Sequence, residues 1–491
     1  MSVMVERQSC LTNWVAVALG LASCAVGPNY VRPDGPKNPS YTTTPIPNAT
    51  SIADGQLQHF EEGKQVAADW WRLFENSEID DFINVAMAEN PTLQAAQATL
   101  RQSQDILQAG YGVFVPQIGG NVGASRQTSN LRSIGSTLPN SVFNLFTLSA
   151  SVNYTLDIWG SQRRQIEGLK AQMEAQRYKV MGTYIMLAGN IVNTAIAQAG
   201  YRAQIQATQD LILLEKDQVS ITKAQAEAGT VPFSNVLSLQ SELASTQATL
   251  PPLRQKIDQA NHLLATLLGR APAEFSSTPG AMGLDLKDFK LPENLPVSLP
   301  SELVHQRPDI LMAEAQLITA NAQIGVATAA MFPSLTLNST VGLNSTSVGS
   351  IFHSDSLFWG LGASLAGPIV DGGTRWYQRK AAIEAHDAVL ANYRQTVLSA
   401  LAQVADTLRA LEHDAETLNA QADSVHASSD AFQLMHINYQ TGIATYLQVL
   451  IADEQYHQAT LAYVQAQAQR LQDTVALYVA LGGGWWNAPK E

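Results

Sequence analysis

Apolar and polar side chains alternate along four segments of the chain, and this period of two predicts β-strands. In the clearest segment Leu148, Val152 and Leu156 recur on one face, whereas the residues on the other face are Thr, Ser and Asn. A face that is polar but uncharged is typical of the inner wall of a membrane β-barrel. The predicted strands cover ~117–128, ~143–159, ~334–344 and ~357–370, close to the ~9–11 residues that cross a membrane at a tilt.

Long stretches after each pair of strands repeat their apolar residues in steps of three, four and seven, which predicts coiled-coil helices. Helices are predicted at ~161–228, ~232–268, ~374–441 and ~446–481. At 1.5 Å per residue, the longer ones reach roughly 100 Å. We predict Gly229 and Gly442 as the hairpin-tip turns, because a helix C-cap favours glycine. The seam of the first helix consists of Ile166, Leu169, Met173, Val180, Tyr184, Leu187 and Ile191.

The two halves of the chain repeat one plan. The interval from Pro91 to Pro116 equals that from Pro308 to Pro333, and Gly229 matches Gly442 within similar surroundings. Several landmarks that keep their spacing indicate two structural repeats. The predicted divisions are a signal peptide at 1–23, an N-terminal linker along the tube of helices at 24–74, repeat 1 at 75–270, an inter-repeat linker at 271–300, repeat 2 at 301–482 and a tail at 483–491.

Four strands per chain cannot close a barrel, and open strand edges are not viable in lipid. Two chains would supply eight strands, which leave an interior filled by side chains, whereas three would supply twelve and leave a pore. The predicted fold is therefore mixed: a long coiled-coil α-helical barrel plus a transmembrane β-barrel that oligomerisation completes. A soluble helical bundle with two hairpins in its loops is the alternative, and it does not explain the long amphipathic strands.

The composition of the chain and the motifs that it lacks exclude several classes of function. Charged residues make up 14 % of the 491 residues and the net charge is −13, which argues against nucleic acid as a partner. The nine histidines are scattered without a His-Glu-x-x-His motif, and no Gly-x-Ser-x-Gly elbow occurs, so we expect no enzyme, no metal site and no cofactor. A periplasmic coiled-coil adaptor is the other alternative, although it needs no amphipathic strands.

The start of the chain resembles a lipoprotein signal. An apolar run at 11–22 is too short to span a bilayer, and the sequence Leu-Ala-Ser-Cys that ends at Cys24 resembles the lipobox of bacterial lipoproteins. This resemblance implies that Cys24 carries S-diacylglycerol and an N-acyl chain such as palmitate. Val26 stands where an Asp would retain the protein at the inner membrane, so the outer membrane is expected. An ordinary signal peptide with a chance cysteine is the alternative.

Five further stretches carry a resemblance that covers essentially the whole chain. They are CAVGPNYVRP, LDIWG, RPDILMAEAQLITANAQIGVATAAMFPSL, GPIVDGG and LGGGW, and they resemble the outer-membrane factors of tripartite efflux systems, in particular the NodT-type lipoproteins related to TolC. The resemblance implies a homotrimer with a 12-stranded barrel in outer-membrane lipid and a helical periplasmic tunnel. It also implies a periplasmic adaptor (membrane fusion protein) and an inner-membrane pump of the resistance–nodulation–division type. Such a channel is a passive exit duct without catalysis.

The same resemblance points to the periplasmic aperture at the hairpin tips. In the family, acidic residues of the second hairpin ring this aperture, and the matching positions here are Gln448 and Ile451, which depart from the acidic pattern. Leu447 beside them would form a hydrophobic constriction that gates by dewetting. Ser234 and Asn235 are the equivalents in the first hairpin. The alternative is that Leu447 and Ile451 pack in the coiled-coil seam.

Overall fold

The computed structural model describes residues 25–36, 40–53, 55–129, 141–277 and 283–487. The predicted signal peptide and Cys24 lie outside the described residues. The described part of the chain forms two compact units. The first unit contains residues 25–33, 100–176 and 313–393, and the second contains 34–99, 177–312 and 394–487.

Helices dominate the structure. Two of them, α3 (Ser161–Glu227) and α7 (Thr374–Gln440), have 67 residues each, and the helix that follows each of them has 35. One stretch of α3 has the length and composition to cross a membrane, but 56 % of that stretch is buried inside the structure, as in a core helix. The helices are α1 (Ser77–Glu89), α2 (Pro91–Tyr111), α3 (Ser161–Glu227), α4 (Phe233–Leu267), α5 (Pro300–Gln306), α6 (Pro308–Ala329), α7 (Thr374–Gln440) and α8 (Tyr446–Ala480).

The strands form two sheets. The larger is a four-stranded antiparallel sheet in the first unit, with the order β2 (Gln117–Ser129), β3 (Ser141–Leu156), β5 (Ser334–Ser345) and β6 (Leu357–Ala366), so that β2 and β6 are its edges. The smaller is a parallel pair of β1 and β4 in the second unit. The strands are β1 (His59–Glu62), β2 (Gln117–Ser129), β3 (Ser141–Leu156), β4 (Asn294–Val297), β5 (Ser334–Ser345) and β6 (Leu357–Ala366).

The register of the larger sheet gathers most of its apolar side chains on one face. Residues directly opposite each other in neighbouring strands share a face. Val122 of β2 pairs with Leu148 of β3, which pairs with Leu343 of β5. Nothing in the described ranges covers this face: Val122 is 82 % exposed and Leu361 of β6 is 79 % exposed. The opposite face of the four strands carries Gln, Asn, Ser, Thr, Gly and a few apolar residues, and no charged residue.

Strands β3 and β6 end earlier than the alternation predicts, and an aspartate after each of them caps the next helix. β3 stops at Leu156 rather than at ~159, because the carboxylate of Asp157 accepts hydrogen bonds from the backbone N–H groups of Gln162 and Arg163, both at 3.0 Å, and so caps α3. β6 stops at Ala366 rather than at ~370. Pro368 follows, and proline donates no ladder hydrogen bond. Asp371 then caps α7, through the N–H groups of Gly373 at 2.9 Å and Arg375 at 3.2 Å.

The smaller sheet joins the two segments that the sequence predicts as linkers. Phe60 of β1 pairs with Leu295 of β4, and both side chains are buried. Nearby, the Trp70 ring stacks on the Tyr478 ring of α8 with a centroid distance of 5.2 Å. The predicted linkers at 24–74 and 271–300 are therefore more than connections, because each contributes one strand to the core of the second unit.

The segment that follows Cys24 packs on the first unit. The N–H of Val26 donates to the carbonyl oxygen of Trp159 at 3.0 Å. The Tyr30 hydroxyl donates to Glu314 of α6 at 3.0 Å, and Arg32 forms an ion pair with the same carboxylate. These contacts fix the chain from Val26 onward at the junction between β3 and α3.

Candidate functional site

The two hairpin tips lie in the second unit and use the same turn. Gly229 follows α3 with a φ angle of 74°, and Gly442 follows α7 with a φ angle of 77°. The Gly229 N–H donates to the carbonyl of Ala226 at 3.0 Å, and the Thr230 N–H donates to that of Gln225 at 2.9 Å. Gly442 and Ile443 repeat both bonds with Tyr439 and Asn438. This is the Schellman C-cap, in which glycine adopts the left-handed conformation that other residues resist.

The second hairpin re-enters its helix through a capping box. The Thr445 N–H donates to the side-chain oxygen of Gln448 at 2.7 Å, and the Gln448 N–H donates to the backbone carbonyl of Thr445 at 3.1 Å. The Gln448 side chain, predicted to line the aperture, thus also satisfies a backbone donor at the start of α8. The first hairpin enters α4 from Pro232, which offers no side-chain cap.

The predicted aperture residues of α8 share its exposed side. Leu447 is 64 % exposed and Ile451 is 48 % exposed, and Gln448 is exposed as well. Tyr446 and Val449 are buried instead. Within one chain the helix seam therefore uses other residues, and Leu447 and Ile451 do not pack in it. In the first hairpin Ser234 is exposed and Asn235 is half-buried.

The two tips also touch each other. The Tyr439 hydroxyl of α7 donates to the Gln225 side chain of α3 at 3.3 Å. The same tyrosine ring meets the Tyr446 ring edge-on, with centroids 5.5 Å apart. These contacts connect the end of α7 with α3 and with the start of α8.

Buried carboxyl groups lie behind the tips. Glu215 of α3 is 3 % exposed and Asp453 of α8 is 9 % exposed. Burial raises the pKa of Asp453 to about 7, and the nearby carboxylates of Glu215 and Glu242 add to this shift. Burial also raises the pKa values of Glu215 and of Glu242. The Thr246 hydroxyl of α4 donates to one oxygen of Glu215 at 2.7 Å.

Sequence reasoning identified neither Glu215 nor the burial of Asp453. The signal was present in the seam, since Glu215 stands four residues after the buried Leu211 and seven after the buried Thr208. A charged side chain at such a spacing occupies a position that coiled coils reserve for apolar residues. In the part of the chain that the structure describes, no group of three or more His, Cys, Asp or Glu side chains is placed to hold a metal ion.

Comparison with known proteins identifies the family. The family model of outer membrane efflux proteins matches residues 82–270 and 299–483, two stretches that correspond to the two halves of the chain. The chain belongs to the outer membrane efflux protein family. The predictions of family, outer-membrane localisation and efflux-channel function are thereby confirmed. The members of this family are transport ducts rather than catalysts.

Relatives and solved structures agree along nearly the whole chain. The pyoverdine export outer membrane protein OpmQ of Pseudomonas putida is 30 % identical over 452 residues, which cover 90 % of this chain and 94 % of OpmQ. Nodulation protein T of Rhizobium leguminosarum bv. viciae is 28 % identical over 477 residues, 96 % of this chain and 92 % of the relative. The outer-membrane channel OprN superposes with a TM-score of 0.85 at 27 % identity, over 94 % of this chain and 100 % of OprN.

Proposed function

We propose that the protein is a homotrimeric exit duct in which three four-stranded sheets close one twelve-stranded barrel. The observation that carries this proposal is the sheet of the first unit, whose apolar face is uncovered and whose edge strands β2 and β6 have no further partner among the described residues. In lipid each unpaired backbone group costs several kcal/mol, so such edges must be joined. Three copies do this around the axis, while the apolar face meets the lipid.

The polar face of the sheet supports three copies rather than two. An eight-stranded barrel has an interior just wide enough for side chains, whereas a wider barrel leaves an aqueous channel. The inner face here bears many small residues, including Gly119, Gly123, Gly360 and Gly362. Small and uncharged side chains suit a water-filled lumen with little selectivity of its own, and the choice of cargo then belongs to the pump.

The partners of this duct follow from the family. We infer a periplasmic adaptor and an inner-membrane pump of the resistance–nodulation–division type. OpmQ and nodulation protein T, which are similar to this chain over most of its length, are named for pyoverdine export and for nodulation. The adaptor would meet the tips of the hairpins that α3 and α4, and α7 and α8, form.

A lipid on Cys24 would sit at the membrane end of the duct. Val26, two residues later, is hydrogen-bonded at the β3–α3 junction, so a lipid on Cys24 is tethered close to where the strands end. One acyl chain binds a membrane only marginally, but S-diacylglycerol and an N-acyl chain together suffice. Because the barrel already spans the bilayer, the lipid serves sorting and assembly.

The exposed residues of the tips would line the periplasmic aperture. Leu447, Gln448 and Ile451 stand on one side of α8, free of the seam of their own chain. Ser234 and Asn235 hold the matching positions in the first hairpin. We infer that three copies of Leu447 and Ile451 form a hydrophobic constriction that excludes water at rest.

The mass of the full chain in detergent tests this function directly. Native mass spectrometry of the purified protein is expected to give three chains, and the same protein in planar bilayers is expected to conduct ions. The Cys24→Ser variant is the matched control, and it must still require detergent, because the barrel and not the lipid holds the protein in the membrane. A monomer or dimer, or a Cys24→Ser protein that is soluble without detergent, would contradict the proposal and favour an anchored adaptor.

A further inference from the structure

A cavity of about 290 Å³ lies behind the hairpin tips, between α3, α4, α7 and α8. Most of its wall is apolar. Leu239 and Val449 are fully buried, whereas Leu214 and Ile221 are exposed and form the rim. The apolar part of this wall would pack against a small apolar body, and none of the proposed aperture residues lines the cavity.

The cavity also contains polar atoms without partners. The Oε2 atom of Glu215, the Oδ1 atom of Asp453 and the hydroxyl of Tyr446 are buried and have no hydrogen-bond partner among the described residues. The other oxygen of Glu215 is occupied by Thr246. A buried carboxylate without a partner costs free energy, and a cation placed beside it relieves that cost.

The remaining charged and aromatic groups of the wall also favour a cation. Asp217 stands at the rim, and no Lys or Arg of the described chain lines the cavity. Phe432 and Tyr446 present aromatic rings, whose faces attract a cation within about 6 Å. His436 of α7 is a further titratable residue in the cavity wall.

We propose that this cavity binds an organic cation, with its ammonium group between Glu215 and Asp453 and its apolar body against Leu239, Val449 and the aromatic rings. A bare metal ion fits less well, because the described residues offer no group of three metal-binding side chains. The mixture of two acids, aromatic rings and aliphatic walls is the kind of site that recognises a substituted ammonium group.

Protons compete with such a cation for Asp453. Its pKa is raised to about 7 by burial and by Glu215 of α3 and Glu242 of α4, so a proton occupies the carboxylate below neutral pH. Other titratable groups at the cavity are Asp217 of α3, His436 of α7 and Tyr446 of α8. If one proton leaves as the cation binds, affinity falls about tenfold from pH 8 to pH 6.

Titration calorimetry of the full chain in detergent, with benzyltrimethylammonium as the probe, tests the proposal. This ion keeps its charge at every pH, and its benzyl group supplies the apolar body. We expect saturable binding at pH 8, about tenfold weaker binding at pH 6 and loss of binding in Asp453→Asn. Glu454→Gln is the matched control, since Glu454 is the neighbouring exposed acid of α8 and lies outside the cavity wall; it is expected to bind as the unmodified chain does.

Competition with neopentylbenzene separates a cation site from a merely apolar cavity. This neutral molecule has the shape of the probe but lacks its positive charge. We therefore expect that neopentylbenzene does not displace benzyltrimethylammonium from the cavity. Displacement, absence of binding to the unmodified chain, or full binding by a folded Asp453→Asn variant would each overturn the proposal. If Asp453→Asn does not fold, Glu215→Gln replaces it with the same expected loss. Because the measurement involves no transport, its outcome is independent of the proposed duct.

Discussion

The hairpin tip of the first repeat and that of the second turn through the same backbone at Gly229 and Gly442, yet they carry different side chains. At equal distances beyond the tip glycine, Ser234 and Asn235 in the first hairpin correspond to Leu447 and Gln448 in the second. The first residues of the two returning helices also differ in burial: Phe233 of α4 is exposed, whereas Tyr446 of α8 is buried. The two hairpins are therefore alike at the positions that the backbone of the turn dictates and differ in the side chains beyond them.

The same comparison extends behind the tips. Asp453 of the second hairpin corresponds to Gln240 of the first, which is exposed. Glu215 on the long helix of the first hairpin corresponds to Ser428 on that of the second. The two acids of the cavity therefore come from non-equivalent positions of the two repeats. Two similar hairpins thus form one asymmetric site, which neither repeat contains alone.

Removal of the apolar side chains from the second tip is expected to have the largest effect. The double variant Leu447→Ala plus Ile451→Ala widens and weakens the proposed hydrophobic constriction, so water and ions enter more readily. We expect a severalfold rise in the resting conductance of single channels in planar bilayers. The matched pair Ser234→Ala plus Ser238→Ala in the first hairpin is expected to change conductance little. If the conductance of the Leu447→Ala plus Ile451→Ala channel is unchanged, these two residues do not form the constriction.

Replacement of Asp453 by a neutral residue is expected to change how the stability of the protein depends on pH, whereas a change at the equivalent position of the first hairpin is not. Its pKa rises from 3.8 to about 7 on folding, so the folded state holds the extra proton and stability falls as pH rises from about 4 to about 7. Asp453→Asn removes this pH-dependent loss, which lowers the free energy of unfolding of the unmodified chain by up to about 4 kcal/mol at pH 8. The thermal midpoint of the variant should exceed that of the unmodified chain at pH 8, and the difference should vanish near pH 4.

The equivalent position of the first hairpin is the control for that pH effect. Gln240→Asp places a carboxylate on an exposed part of α4, where water solvates it and its pKa stays ordinary. Its stability is expected to follow that of the unmodified chain at every pH. A pH profile of Asp453→Asn that runs parallel to the unmodified chain would show that Asp453 does not titrate between pH 4 and 7.

The tip glycines are expected to respond alike, with a smaller effect. Gly229→Ala and Gly442→Ala each force a side chain into the left-handed region, at a cost of about 1 kcal/mol. Neither new Cβ would meet another atom within 4 Å, so the cost comes from the backbone alone. Hydrogen exchange of the tip amides measures it. Asparagine tolerates this conformation better, and Gly→Asn at either site should restore part of the protection.

Much of the architecture was predictable because it rests on local periodicity. The alternation around Leu148 specified a strand and its apolar side, and the glycines at the tips specified where the long helices end. The strand ends were less accessible, because alternation encodes neither the helix cap that Asp157 forms directly after β3 nor the effect of Pro368 after β6. The β1–β4 pair was missed, since four residues at His59–Glu62 and four at Asn294–Val297 are too short for a periodic signal.

The candidate site was predictable only in part, for a related reason. The assignment of the aperture residues rests on the resemblance of the second hairpin to the family, and it stays a prediction. The burial of Glu215 and Asp453 depends on contacts between helices that lie more than two hundred residues apart in the chain. A charged residue in an apolar seam indicates that its side chain has a polar partner, but the sequence does not show which helix supplies that partner.

Substitutions at Gln448 and Asn235 are expected to have the smallest effect on stability, and they distinguish the two roles of Gln448. Gln448→Glu keeps the capping box, in which Glu is as suitable as Gln, so stability should change by less than about 0.5 kcal/mol. If Gln448 also lines the aperture, three new carboxylates form a ring that favours cations, and the reversal potential in a salt gradient should shift toward cation selectivity. Asn235→Asp makes the corresponding change in the first hairpin. A Gln448→Glu channel with unaltered selectivity would leave Gln448 with the capping role alone, because a ring of charge inside a narrow pore acts on every ion that passes.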